Sequence, residues 1–217
     1  MMNCCKSSPS LQGTNKFFSK HADRYLKQFR KKGLAKEQKH LVKGIEQSSI
    51  TGKSILEIGC GIGGLHLTML QHGASAAVGI DISEGMIEGA KQLSKELDFE
   101  DQTQYLLGDI VQMNGTIPEA DIVVLDKVVC CYEDIDRLMA TSLSKSTHTY
   151  ALSFPNPNIL VKVSFFGLIG LGKLLKWSFH PYWHEWDRVV RRIEEGGFLR
   201  TYRDSTLWWT VAVFNKK

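Results

Sequence analysis

The stretch ILEIGCGIGGLHLTML, Ile55 to Leu70, sets the tightest limit on what this chain can fold into. An apolar run of strand length enters a glycine turn, and an apolar segment at helical spacing leaves it. Glycines at such a turn let the backbone reverse sharply and come close to a ligand. Gly59, Gly61 and Gly64 satisfy G-x-G-x-x-G. That spacing alone does not choose among ligands that carry a ribose and an adenine.

The rest of the chain extends the pattern. At 217 residues, 43% of them apolar, the length suits one domain with a packed core. Strands are predicted at 53–58, 76–81, 103–108, 121–126 and 148–153, with helices at 63–72, 84–97 and 133–144. This alternation predicts an α/β fold with a mostly parallel, doubly wound sheet. After Pro155 the rhythm changes. Residues 158–177 are strongly apolar and carry Gly167, Gly170 and Gly172. A helix from His184 to Glu195 follows, stopped by Gly196-Gly197. Two last strands, 198–203 and 206–214, are predicted to form an antiparallel hairpin turning at Arg203-Asp204-Ser205. The expected total is seven strands. Residues 1–48 read as a helical N-terminal arm broken near Lys32-Gly33, and 49–217 as the main domain, with an apolar lid over 156–183.

Charge and cysteine usage narrow the setting. A net charge of +4 permits acidic small molecules or anionic surfaces and requires neither. In the arm, basic residues from Lys16 to Lys43 interleave with Phe17, Phe18, Tyr25, Leu26 and Phe29. This reads first as a helix pair with a solvated basic face, and second as an anionic contact. Cys4, Cys5, Cys60, Cys130 and Cys131 form no C-x-x-C and no disulfide ladder, which predicts a reducing, cytoplasmic setting. The first twelve residues are polar and do not read as a secretory leader. Cys4 and Cys5 are expected to be reduced rather than to hold a metal or a lipid.

Three features choose the ligand. Glu57 precedes the glycines, where a carboxylate suits an ammonium group and repels a pyrophosphate. Asp81, ending the second strand in VGIDIS, is placed to grip ribose hydroxyls, and Asp109 in LLGDI to accept from an adenine amine. No second large domain follows to carry a hydride acceptor, which leaves a nicotinamide dehydrogenase as a minor alternative. The ordered set LEIGCGIGG, GIDIS, LGDI and VVLDKVV resembles the class I S-adenosylmethionine-dependent methyltransferases, from Lys53 to about Phe214. The resemblance implies a Rossmann-like methyltransferase fold and S-adenosylmethionine as cofactor. It implies that Gly59, Gly61 and Gly63 floor the pocket under the methionine moiety and that Glu57 reaches the ammonium. Asp81 would take the ribose and Ile82 would pack on the adenine. Asp109 and the Ile110 backbone would read the adenine edge, and Asp126 and Lys127 would lie near the transferable methyl. Asp126 as a helix N-cap is the plainer reading of that residue.

The acceptor is less legible. DKVVCCYEDID places Cys131 and Tyr132 after the fourth strand as candidate catalytic residues, with small-residue packing as the plainer reading. In SFHPYWHEWDR, His180 and His184 stand four apart, but Pro181 breaks a helical zinc pair, so no metal is expected. His184 is the third catalytic candidate. The lid sequence, with LSFPNPNILVK entering it, YWHEWDRVVRRIEEGGF leaving it and ADRYLKQF in the arm, is similar to the magnesium-protoporphyrin O-methyltransferases. In that likeness His184 matches a family histidine. Cys131-Tyr132 stands where a histidine-tyrosine pair is expected, and Phe29 where a tyrosine is expected. The expected function is methyl transfer to a small apolar or partly acidic acceptor at oxygen, nitrogen or sulfur. The alternative is a cofactor-binding sensor or partner subunit without catalysis. Nucleic acid is disfavoured as a partner, because DKVVCCYED replaces the aromatic-proline motif such enzymes carry. The apolar lid gives peripheral membrane contact as a further expectation.

Overall fold

The computed structural model describes the backbone of residues 9–113, 115–175, 177 and 181–217. Its strands are β1 (Ser54–Ile58), β2 (Ala76–Asp81), β3 (Thr103–Leu107), β4 (Ala120–Asp126), β5 (Ser146–Pro155), β6 (Phe198–Ser205) and β7 (Trp209–Lys216). They form one sheet in the order β3-β2-β1-β4-β5-β7-β6. The first five run parallel, and β7 lies antiparallel between β5 and β6. The helices are α1 (Pro9–Lys32), α2 (Lys36–Glu46), α3 (Gly64–Gln71), α4 (Glu84–Glu96), α5 (Ile135–Leu143), α6 (Ile159–Leu174) and α7 (Trp186–Glu195).

Strands buried on both faces must be apolar at nearly every position, and ADIVVLD in β4 meets that requirement. The two-residue period then divides the side chains between two cores. Ile122 and Val124 join Leu41, Ile45, Leu65, Leu67 and Met69 on the face covered by α2 and α3. Val123 and Leu125 join Leu138, Tyr150, Phe154, Ile193 and Phe214 on the face covered by α5 and α7. In β1 the same alternation sends Leu56 and Ile58 into the second core. Glu57, between them, is therefore turned toward α3.

The break between α1 and α2 falls at Gly33, whose φ of 65° is left-handed and whose N–H donates to the Phe29 carbonyl at 2.7 Å. A glycine in that conformation ends a helix at little steric cost. The three lid glycines do not interrupt α6, which runs from an Asn158 cap accepting from the Val161 N–H at 2.8 Å. The closing hairpin turns later than the sequence predicts. β6 continues through Arg203, Asp204 and Ser205, and the turn is Thr206-Leu207-Trp208, with the Thr206 N–H donating to the Trp209 carbonyl at 2.8 Å. The polar triplet belongs in the strand because β6 is an edge strand whose outer positions face solvent. Asp204 there accepts from Tyr202 Oη at 3.0 Å and pairs with His40.

Candidate functional site: a cleft at the C-terminal edge of the sheet

Parallel strands bring their C-terminal ends to one edge, where ligands bind in α/β sheets of this kind. Here the segments leaving β1, β2, β3 and β4 enclose a cavity of about 260 Å³. Glu57, Gly59, Gly61, Asp81, Ile82, Asp109, Ile110, Asp126, Lys127, Cys131 and Tyr132 all line it. Gly59 has a φ of 65°, and a side chain there would meet Val128 Cγ2 at 2.4 Å, so the β1 turn and the β4 loop close on each other only over a glycine. At Gly61, with φ 53°, an added side-chain carbon would meet the Met86 sulfur only at 4.0 Å, so this face of the turn is open.

Asp81 organises this loop. Its Oδ2 accepts from the Gly61 N–H at 2.8 Å and its Oδ1 from the Ser83 N–H at 2.8 Å. One carboxylate thus fixes the glycine turn and the start of α4. Burial pushes the Asp81 carboxyl up to about 6, against the lowering pull of the Ser83 and Gly61 N–H groups.

Glu57 is 2% exposed. Its Oε2 accepts from the His66 N–H at 3.2 Å and from His66 Nδ1 at 2.6 Å, and His66 Nε2 meets the Tyr105 hydroxyl at 3.0 Å. Burial pushes the Glu57 carboxyl up, and the bond to His66 opposes that rise. Both bonds use one oxygen, which leaves the other as the acceptor for a ligand. Asp109 accepts from the Val111 N–H at 3.0 Å, and the Tyr132 hydroxyl donates across both its oxygens at 2.9 and 3.0 Å. Burial, with the Asp109 charge added, raises the Tyr132 phenol, which stays protonated as a donor.

At the β4 tip, Asp126 accepts from the Ser153 hydroxyl at 2.5 Å and from Gln38 Nε2 at 2.9 Å. It caps no helix. Lys127 has a left-handed φ of 59°, pairs with Glu37, and stands 5.3 Å from the Trp209 ring centroid. Burial works against its ammonium, but Asp126 and Glu37 more than offset this and hold the pKa above the ordinary lysine value. The N-terminal helices roof the cleft. Phe18, Tyr25 and Phe29 of α1 and Gln38 of α2 join its lining. Ser19 bonds the Gly85 N–H at 3.2 Å and Ser83 Oγ at 2.9 Å, fixing α1 to the start of α4.

Gly63 and His184 lie outside this lining. Gly63, at φ 77°, precedes α3, and a side chain there would press on the His66 ring at 2.9 Å. His184 borders a separate hollow of about 240 Å³ beside Asp136, Trp183 and Arg188. Its Nε2–H donates to the Tyr132 carbonyl at 2.9 Å, and burial lowers its pKa, which leaves a neutral ring. Cys131 is in the cleft, where its thiol donates to the Lys127 carbonyl at 3.2 Å. Contact with Cys130 and burial raise that thiol well above the ordinary range, so it is no thiolate at neutral pH. Cys4, Cys5 and His180 lie outside the described residues. Among the described residues no group of three His, Cys, Asp or Glu side chains is placed to hold a metal ion.

Sequence reasoning missed His66, Tyr105, Glu37 and Gln38. His66 had a signal, being the one titratable side chain within the apolar run GLHLTML. Glu37 and Gln38 had none, because their partners lie about ninety positions away across the sheet.

The donor set fits an adenosyl cofactor. Asp81, fixed by two N–H groups, retains lone pairs for two hydroxyls, Asp109 can accept from an amine, and Gly61 leaves the space between them open. The sheet order and this cleft resemble those of the class I S-adenosylmethionine-dependent methyltransferases. Comparison with known proteins agrees. A sequence model of the methyltransferase domain matches residues 55–144. Protein arginine N-methyltransferase 1 of Saccharomyces cerevisiae is 35% identical over 72 residues, which is 33% of this chain and 20% of that protein's length. Among solved structures, magnesium protoporphyrin IX methyltransferase from Synechocystis PCC 6803 with bound S-adenosylhomocysteine superposes with a TM-score of 0.70 at 22% identity, covering 96% of this chain and 100% of that one. Geranyl diphosphate C-methyltransferase from Streptomyces coelicolor A3(2) gives 0.64 at 10% identity, over 83% of this chain and 78% of that one.

Proposed function

We propose that the chain transfers the methyl group of S-adenosylmethionine to a small, largely apolar acceptor that carries its own nucleophile. The observation that carries this reading is the convergence of Glu57, Asp81 and Asp109 on one cleft closed by Phe18, Tyr25 and Phe29. In it Asp81 takes the ribose hydroxyls, Asp109 and the Ile110 backbone take the adenine edge, and the second oxygen of Glu57 takes the ammonium. Ile82 packs on the adenine. The bound cofactor supplies an activated methyl on a sulfonium. The protein's part is to align nucleophile, methyl and sulfur and to keep water out, which the aromatic roof does.

The side chains at the β4 tip are poorly set to act as a base. Asp126 already accepts two bonds, the Cys131 thiol stays protonated, and the His184 Nε2–H is bound to a carbonyl. An acceptor ionised at neutral pH, such as a carboxylate, meets this site without a base. The two solved structures named above act, by their names, on a porphyrin and on a geranyl diphosphate. The absence of a positioned base also favours the second reading, a cofactor-binding protein without catalysis. Incubation with S-adenosylmethionine and a panel of amphiphilic carboxylic acids, phenols and thiols separates the two. S-adenosylhomocysteine is expected with the carboxylic acids. Tight cofactor binding with no product from any acceptor would establish the binder instead.

Affinity for S-adenosylhomocysteine is expected to fall with acidification. Ribose hydroxyls donate to the ionised Asp81, so binding favours the deprotonated form and lowers its pKa. Affinity is then constant well above pH 6 and declines as the pH drops through about 6, where the free protein takes up the proton. Calorimetric titration from pH 8 to pH 5 reads the slope, and in Asp81→Asn the slope is lost.

A further inference from the structure

We propose that α6 and the adjoining β6–β7 turn dock the protein onto an anionic lipid bilayer. Of the residues in α6, only Val161 and Gly172 are buried. Ile159, Leu160, Val163, Phe166, Leu168, Leu171 and Leu174 are all 45% exposed or more. At about 100° per residue all of these but Leu168, which falls beside Val161, fill a broad arc opposite Val161 and Gly172. Lys162 and Lys173 fall within about 20° of each other on one border of that arc. An apolar face with lysines along one edge is the layout of a helix lying in the plane of a membrane interface, its lysine heads reaching back to lipid phosphates.

Two further observations commit the face to this occupant. The first is continuity. Asn158 Nδ2 donates to the Leu207 carbonyl at 3.1 Å, and the Asn156 N–H to the Trp208 carbonyl at 2.8 Å. These bonds stitch the α6 start to the turn that presents Leu207 and Trp208, 62% and 52% exposed. Tryptophan is a preferred side chain at the headgroup level. The second is charge. The sequence carries no Asp or Glu between Asp136 and Glu185, whereas Lys162, Lys173 and Lys176 fall in the α6 part of that interval. This tract carries one sign of charge, which complements an anionic headgroup layer. No described helix is long and apolar enough to cross a membrane, so the contact is peripheral.

Flotation of the full chain with vesicles tests the proposal, and it needs neither cofactor nor acceptor, so it stands or falls apart from methyl transfer. The vesicles are phosphatidylcholine alone, or phosphatidylcholine with about a third phosphatidylglycerol. Binding is expected to the second and weakly to the first. Lys162→Glu with Lys173→Glu should reduce partitioning about 30-fold or more, on the scale of one headgroup attraction per lysine. Leu160→Asp with Leu171→Asp should abolish it. All four positions are exposed and outside the cofactor cleft, so unchanged S-adenosylhomocysteine affinity verifies that each variant is folded. Equal binding to neutral and anionic vesicles would overturn the anionic assignment. Failure to bind either vesicle, with a dimer in sedimentation that Leu160→Asp/Leu171→Asp dissolves, would assign the face to a second copy and overturn the proposal.

Discussion

Asp81→Ala is expected to weaken S-adenosylhomocysteine binding by about 100-fold, close to 3 kcal/mol. The effect combines two losses. The ribose loses a charged acceptor, and the Gly61 and Ser83 N–H groups, each held at 2.8 Å by that carboxylate, lose the partner that shapes the loop. Asp81→Asn keeps one carbonyl oxygen as acceptor and should fall between the variant and the native protein. Calorimetry with S-adenosylhomocysteine measures all three. An affinity within threefold of native in Asp81→Ala would show that the ribose sits elsewhere.

Glu57→Ala is expected to lower folding stability by about 3 kcal/mol, since it leaves buried hydrogen-bond donors without their acceptor. His66, fully buried, would lose the acceptor of both its backbone N–H and its ring Nδ1–H. For a chain of this length the thermal midpoint should drop by roughly 10 °C. Glu57→Gln retains an acceptor oxygen and should cost distinctly less. A midpoint for Glu57→Ala within a degree or two of native would show that the pair contributes nothing to the fold, and that Glu57 is kept for its ligand alone.

The difference in how legible these two residues were is instructive. Asp81 announces itself because it ends an apolar strand, and Asp109 because it follows the end of β3 by two residues, where the sheet's own direction delivers both to the cleft edge. Strand positions, and a parallel sheet closed by an antiparallel hairpin, followed from the same apolar rhythm, since buried parallel strands cannot vary their pattern far. Glu57 was visible as a ligand group, but its bond to His66 was not, because that contact depends on which face of α3 meets β1. The latch at the β4 tip was invisible for a stronger reason. Glu37 and Gln38 sit in a helix whose composition says only that it is amphipathic, and their partners Lys127 and Asp126 are joined to them by tertiary packing alone. The hairpin was misplaced by two to three residues because Arg203, Asp204 and Ser205 look like a turn, yet an edge strand tolerates polar side chains along its outer side.

The roof formed by α1 is fastened by Ser19 against the first turn of α4, by Arg30 against Glu96 at the end of α4 and, through the α1–α2 connection, by Gln38 against Asp126. A strap held at both ends governs traffic as well as grip. Such a strap is expected to slow the exchange of spent for fresh cofactor in the cleft beneath it.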